Sequence, residues 1–402
     1  MFVIYWKGEV WTWLQNLLSY LEIPCKIMDD KDIQYQDLQN ADKIIPSPGI
    51  KPSHYIYKEF LSKIISEMDL VYDILQQKWI LENFRFIWIT GTKWKSTTSW
   101  IVYNLLKDFD SNTYIGGNFS PSFAQIIYEI LHSKTIKNQK INVVIEISSF
   151  MLYNTNRFQL ENSIFTNIEK DHLDWHTDYQ DYLNTKQKIF QLTQNKVFVG
   201  DDFNTAWFSN SVKSSKIWQF ETKLLWQHNQ TNISLAFNLV KEHSSQKDKE
   251  IINNIPKIKP LANTLEYVKS INWVKFFNDW KSTTPWALKS ALKSFDSKII
   301  LIAWWYDKWA DFNELRRLFS EKVHFASLIG TTAPVIGNIL NELWIWCQIF
   351  ENLPDAVHNS YKKAINDNIQ VVLFSPGCAS LDMFDNYKHR VQIFLESVWW
   401  IG

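Results

Sequence analysis

Glycine is scarce in this chain, 10 residues in 402, or 2.5% against the ~7% of ordinary proteins. A chain of parallel α/β units needs glycine at turns and ligand loops, so this shortage demands an explanation. Cysteine is rarer still. Cys25, Cys347 and Cys378 are widely spaced and odd in number, which excludes a disulfide framework and a structural zinc site and fits a reducing compartment. Net charge is absent, with Lys+Arg and Asp+Glu both 42. That excludes the basic field of a nucleic-acid binder and an acidic tail. No apolar run approaches the ~18 residues of a membrane span. Met1 to Tyr5 is too short for a secretory signal, with Lys7 and Glu9 close behind. The expectation is a soluble, cytoplasmic protein with neither nucleic-acid nor membrane partners. Repeats and low-complexity tracts are also missing, and the length predicts two or three domains.

What the chain has in excess is tryptophan, 21 residues. Glycine and tryptophan together fill 31 of 402 positions, 7.7%, a normal glycine content. Their placement agrees. Trp6-Lys7-Gly8-Glu9-Val10-Trp11 follows a strand-like run, Met1 to Tyr5, and becomes G-x-G-x-x-G when both tryptophans are read as glycine. Trp304-Trp305 ends the apolar run Ile299 to Ala303, where paired glycines make a turn. One reading is an aromatic-rich protein whose indoles pack cores and interfaces. The other is a decoding difference, with a codon that the cell reads as glycine rendered as tryptophan. UGA, reassigned in some bacteria, is the candidate. About 15 glycine sites carrying Trp at ~1 kcal/mol each would match the whole stability of a domain, which favours the decoding reading. Trp79, Trp175, Trp207 and Trp218 lie where no glycine demand is visible. The decoding reading predicts indoles in loops and ligand clefts rather than in cores.

The segment Thr90-Gly91-Thr92-Lys93-Trp94-Lys95-Ser96-Thr97-Thr98 follows the strand-like run Phe84 to Ile89 and opens the helix-like stretch Ser96 to Lys107. A triphosphate loop wraps phosphates in bare backbone N–H groups, with a lysine and a hydroxyl at its end. With glycine at 94 the run is a strong form of that loop. With tryptophan it is blocked; the alternative reading is a chance lysine–serine pair at a helix start, against which the strand before it and the helix after it argue. Val143 to Phe150 is a buried strand ending in Glu146, a carboxylate placed for Mg²⁺ at a sheet's carboxyl edge or else a strand-end cap. His172 and His176 lack the H-E-x-x-H spacing of a zinc site. His172 suits a metal or phosphate role, while His176 reads equally as a surface histidine. Lys186 on its own is an ordinary helix lysine. Asp29-Asp30, about 20 residues past the first turn, suits a ribose or base.

Alternating strand and helix patterns predict an α/β fold, with the first block ending near Asn83, His243 to Glu250 as a surface loop and Ile255 to Pro260 as a linker. The whole chain resembles the Mur ligase family. The matching runs are TGTKWKSTT, GGN at 116–118, EISSF at 146–150, NIEKDHLDWH at 167–176, Lys186, WQHNQTN at 226–232, NDWKSTTP at 278–285, WWYDKWADF at 304–312 and SPGCASLDMFDNYKHR at 375–390. Reading Trp as Gly at 94, 226, 304, 305 and 309 improves the match. The last run is the most specific, to the D-glutamate-adding member.

The resemblance implies three domains: a Rossmann-like N-terminal domain (1–84) for the UDP substrate, a P-loop ATPase-type central domain (85–260), and a Rossmann-like C-terminal domain (261–402) for the amino acid. It implies an ATP-dependent ligase of peptidoglycan synthesis, a monomer, joining UDP-N-acetylmuramoyl-L-alanine to D-glutamate through an acyl phosphate. Gly91, Thr92, Lys93, Trp94, Lys95, Ser96, Thr97 and Thr98, with Asn229, Asn232, Asp307 and Lys308, would contact ATP. Ser96 and Glu146 would hold one Mg²⁺, and His172 and a carbamylated Lys186 a second. Lys95, His172 and Lys186 would be catalytic. Asn118, Ser148 and Ser149 would contact the muramoyl peptide, and Ser380 and Tyr387 the D-glutamate. Two family features differ here. The run Leu261 to Glu266 carries no His-Arg pair, and Ser120 stands where glycine is usual. The rivals are another Mur ligase or a folylpolyglutamate synthase-like enzyme and, with a literal Trp94, a catalytically dead binding protein. The run 375–390 and the lack of an Asp-Asn-Pro-Arg motif argue against the first two.

Overall fold

A computed structural model describes the chain except residues 6–8, 30, 32–33, 134–139, 174, 201–202, 204–207, 214–218, 223, 225–226, 245–246, 260–264, 281–284, 305–314, 331–332, 377–386 and 402. It divides into two compact units, Met1–Lys259 and Pro260–Gly402. The α/β expectation holds in both.

The first unit opens with three parallel strands, β1 (Phe2–Tyr5), β2 (Cys25–Met28) and β3 (Lys43–Pro46), in the order β2-β1-β3. Its second sheet comprises β4 (Phe84–Thr90), β5 (Thr113–Gly117), β6 (Ile141–Glu146), β7 (Leu160–Phe165), β8 (Thr193–Val199) and β9 (Ser211–Lys213). All are parallel, in the order β5-β6-β4-β7-β8-β9. Every residue of β6 is buried, as expected for a strand covered on both faces. From β4 the chain builds β5 and β6 on one flank, then returns to build β7 on the other. The sheet order therefore reverses about β4, and the crevice beyond its carboxyl end is where such sheets bind ligands. One apolar core joins the two sheets, with Ile4, Leu14 and Ile45 packing in the same cluster as Phe86, Phe123 and Phe158.

The second unit holds β10 (Glu266–Ile271), β11 (Val274–Asn278), β12 (Ile299–Trp304), β13 (Val323–Ile329), β14 (Trp346–Phe350) and β15 (Val371–Phe374). Their order is β10-β11-β15-β12-β13-β14, antiparallel only between β10 and β11. The hairpin that begins with β10 is absent from the sequence reading. The expected surface loop at 243–250 is corrected too: His243 is buried at the end of the helix Gln227–His243, and a new helix, Asp248–Asn254, starts inside the stretch.

Tryptophan placement separates the two readings of composition. Trp11, Trp88 and Trp175 are buried, whereas Trp79, Trp273, Trp344, Trp346, Trp399 and Trp400 are exposed. Most indoles among the described residues are therefore not core-fillers, although several exposed ones lie on helices and a strand rather than in loops.

Candidate active site

The loop after β4 turns on a glycine that tolerates no side chain. Gly91 has φ 143°, and a Cβ there would lie 2.0 Å from the Thr166 hydroxyl. Asn167 then clasps the loop: its Oδ1 accepts from the backbone N–H of Thr92 (3.1 Å) and of Lys93 (2.8 Å). Thr166 donates to the Lys93 carbonyl at 2.7 Å. Thr92 shares a 2.9 Å hydroxyl contact with Tyr182, and Lys93 pairs with Glu169 at 2.5 Å. Trp94 caps the helix Lys95–Lys107 with φ 63° and ψ 7°, the left-handed region. A bulky residue there is an outlier, whereas glycine adopts it freely. Lys95 turns back onto its own loop and donates to the Thr92 carbonyl at 2.9 Å. Ser96 and Thr97 are half-buried in the first turn. Thr98 faces inward, fully buried with its hydroxyl lacking a partner.

The carboxyl edge of β6 brings a carboxylate to this loop. Glu146 is 3% exposed. Its Oε1 accepts from Asn118 at 2.9 Å, and its buried Oε2 has no partner. Leaving such an oxygen unsatisfied is costly, so its position suits a cation. Lys186 reaches in from the helix Tyr179–Leu192, 1% exposed, and donates to the Gly91 carbonyl at 2.7 Å. Burial, reinforced by the Lys95 charge, pushes its amine well below the ordinary lysine range, against the opposing pull of Asp171 and Glu146. No group of three or more His, Cys, Asp or Glu side chains among the described residues forms a metal cage. The donors fit Mg²⁺, which usually takes one or two carboxylates and completes its shell with phosphate and water.

His172 has φ 54° and sits edge-on to Phe150 and Tyr182, ring centroids 4.7 and 6.0 Å away. His176 is not a surface histidine. It is 3% exposed, held between Asp181 (3.0 Å from Nδ1) and Ser149 (3.0 Å from Nε2). Ser149 is accordingly buried, and Ser148 caps the helix Ser149–Tyr153 by accepting from the Met151 N–H. Asn229 and Asn232 are hydrogen-bonded to each other at 3.1 Å on the helix Gln227–His243, whose apolar face shares a core with Lys95–Lys107. Asp307, Lys308 and Ser380 lie outside the described residues, as does the side chain of Tyr387, where the helix Tyr387–Ile401 begins. The structure thus gathers Lys95, Glu146, Lys186 and Asn118 about one loop. Asn167 opens the run 167–176 without any local sign of its clasp on the loop, and Tyr182, which also shapes that loop, carries no local sequence signal.

The Mur ligase middle domain family model matches residues 89–248. The UDP-N-acetylmuramoylalanine–D-glutamate ligase of Aquifex aeolicus is 33% identical over 386 residues, spanning 90% of this chain and 88% of the relative. The ligase of the same name from Hydrogenobaculum sp. is 31% identical, spanning 99% and 98%. Among solved structures, the UDP-N-acetylmuramate-alanine ligase MurC of Thermotoga maritima superposes with TM-score 0.62 at 14% identity over 100% and 99% of the chains. A MurF ligase of the same organism, solved in complex with ADP, gives 0.60 at 15% over 91% of each. These two structures establish a shared fold.

Proposed function

The chain belongs to the Mur ligase family, and from that premise we propose that it joins D-glutamate to UDP-N-acetylmuramoyl-L-alanine at the expense of ATP, in peptidoglycan synthesis. The observation that carries this reading is the near full-length likeness to ligases of that name, read with the loop that presents Lys95 and Ser96 beyond β4.

In this reading the L-alanyl carboxylate attacks the γ-phosphorus and ADP leaves, giving an acyl phosphate. The D-glutamate amine then attacks the acyl carbon, and phosphate leaves from the tetrahedral intermediate. Positioning and charge compensation dominate such transfers. Lys95 would exchange the Thr92 carbonyl for a phosphate oxygen. Asn167 would keep the loop in shape by holding Thr92 and Lys93. Ser96 and Glu146 would hold one Mg²⁺, and His172 and Lys186 a second; such ions would supply positive charge that offsets the repulsion between the two anionic reactants. Burial holds the Lys186 amine well below the ordinary lysine range, and an uncharged amine there would add CO₂, losing a proton and becoming a carbamate, which would provide oxygen donors where an ammonium would repel the metal. Asn118 and Ser149 would serve the muramoyl peptide, the latter oriented by His176. Residues 1–84 would bind the UDP moiety, 85–260 ATP, and 261–402 the amino acid. A monomer acting in the cytoplasm completes the reading; no helix among the described residues is long and apolar enough to cross a membrane.

The test supplies purified protein with ATP, Mg²⁺, UDP-N-acetylmuramoyl-L-alanine and one amino acid at a time, and identifies products by mass. Product with D-glutamate alone is expected. Product with L-lysine but not D-glutamate would overturn the specificity.

A further inference from the structure

Helix ends provide a view of composition that is independent of any ligand. The helix Glu67–Gln77 closes with the Ile80 N–H on the Leu75 carbonyl (3.1 Å) and the Trp79 N–H on the Gln76 carbonyl (3.0 Å). The helix Ala333–Glu342 closes identically, Ile345 on Leu340 (2.9 Å) and Trp344 on Asn341 (3.0 Å). This paired pattern is the Schellman motif, whose left-handed C′ residue is usually glycine and sometimes asparagine. Here C′ is Trp79 (φ 57°) and Trp344 (φ 58°). Their indoles are 88% and 92% exposed, so packing does not hold them there. Glu22 and Asn368 end other helices with the same long bond, so the motif recurs and admits other residues. Even so, three of the eight non-glycine residues at positive φ among the described residues are Trp79, Trp94 and Trp344. Tryptophan supplies only 21 of 402 positions.

We propose that positions 79, 94 and 344 are glycine in the native protein, their codons being read differently by the cell, and that the loop at 94 is thereby open to a nucleoside triphosphate. This revises Trp79, which the sequence places among genuine tryptophans. At 94 the inference rests also on the ATP-site reading; at 79 and 344 it rests on backbone geometry alone. Without a Cβ at 94, the backbone of the helix start can approach the phosphates closely.

The test isolates the protein from its own cells and measures the masses of peptides covering the three positions, beside the gene's codons there. Each peptide is expected to be lighter than its tryptophan form by one indolylmethyl group replaced by hydrogen, with UGA at each codon. Tryptophan masses at 79 and 344 overturn the proposal. Glycine at 79 and 344 with tryptophan at 94 overturns its phosphate-loop half. The ligase assay on the same native sample reads the activity separately, so loss of one reading leaves the other measurable.

Discussion

Replacing Trp79 isolates backbone strain from packing. Its side chain is 88% exposed, so truncation to Ala or to Gly removes the same few contacts. The two variants then differ only in what a Cβ does at φ 57°. A left-handed residue with a Cβ is strained by roughly 1–2 kcal/mol, and glycine offsets part of its relief with about 0.4–1 kcal/mol of extra unfolded-state entropy. Trp79→Gly is therefore expected to exceed Trp79→Ala in stability by about 1 kcal/mol. Trp100 provides the control, because it lies inside the regular helix Lys95–Lys107. There glycine should fall below alanine by about 1 kcal/mol. Guanidinium unfolding of the full chain, following the transition of the Met1–Lys259 unit, measures both pairs. Inversion of sign between the two sites is the expected result. An alanine at 79 that equals or beats glycine would refute the strain argument.

Two further substitutions probe buried carboxylates. Burial raises the Glu67 carboxyl to about 7, against a smaller opposing effect of the Ala124 N–H it accepts. With a folded-state value above the unfolded 4.5, its contribution is fully present below pH 4.5 and is lost as pH rises through 7. Glu67→Gln keeps an acceptor for Ala124, so its stability relative to the parent should rise by about 3 kcal/mol between pH 4.5 and 8; a pH-independent difference in urea midpoints sinks the idea. Glu146→Gln leaves the Asn118 contact possible but removes the carboxylate that has an unpartnered oxygen. The Mg²⁺ concentration for half-maximal ADP release should rise on the order of 10–100-fold, and an unchanged Mg²⁺ requirement contradicts the metal assignment.

The strand–loop–helix of 84–107 and the carboxylate of Glu146 were legible because each depends on local pattern: an apolar run, a lysine–serine pair, a buried strand with a polar end. Asn167 was not. Its clasp on Thr92 and Lys93 joins residues 74 and 75 positions apart, brought together only because β7 pairs beside β4. His176 read equally as a surface residue for the same reason, since Ser149 lies 27 positions away. Trp79 escaped for a different cause. Helix stops are announced by glycine, and at Trp79 and Trp344 the letter that carries that signal is a tryptophan.

The most direct measurement is ATP turnover by two chains differing only at position 94, one with tryptophan and one with glycine, each supplied with Mg²⁺, UDP-N-acetylmuramoyl-L-alanine and D-glutamate. ADP release that requires both substrates and appears in the glycine chain alone is the predicted result. Equal turnover by both chains, or none by the glycine chain when correctly folded, would contradict the account.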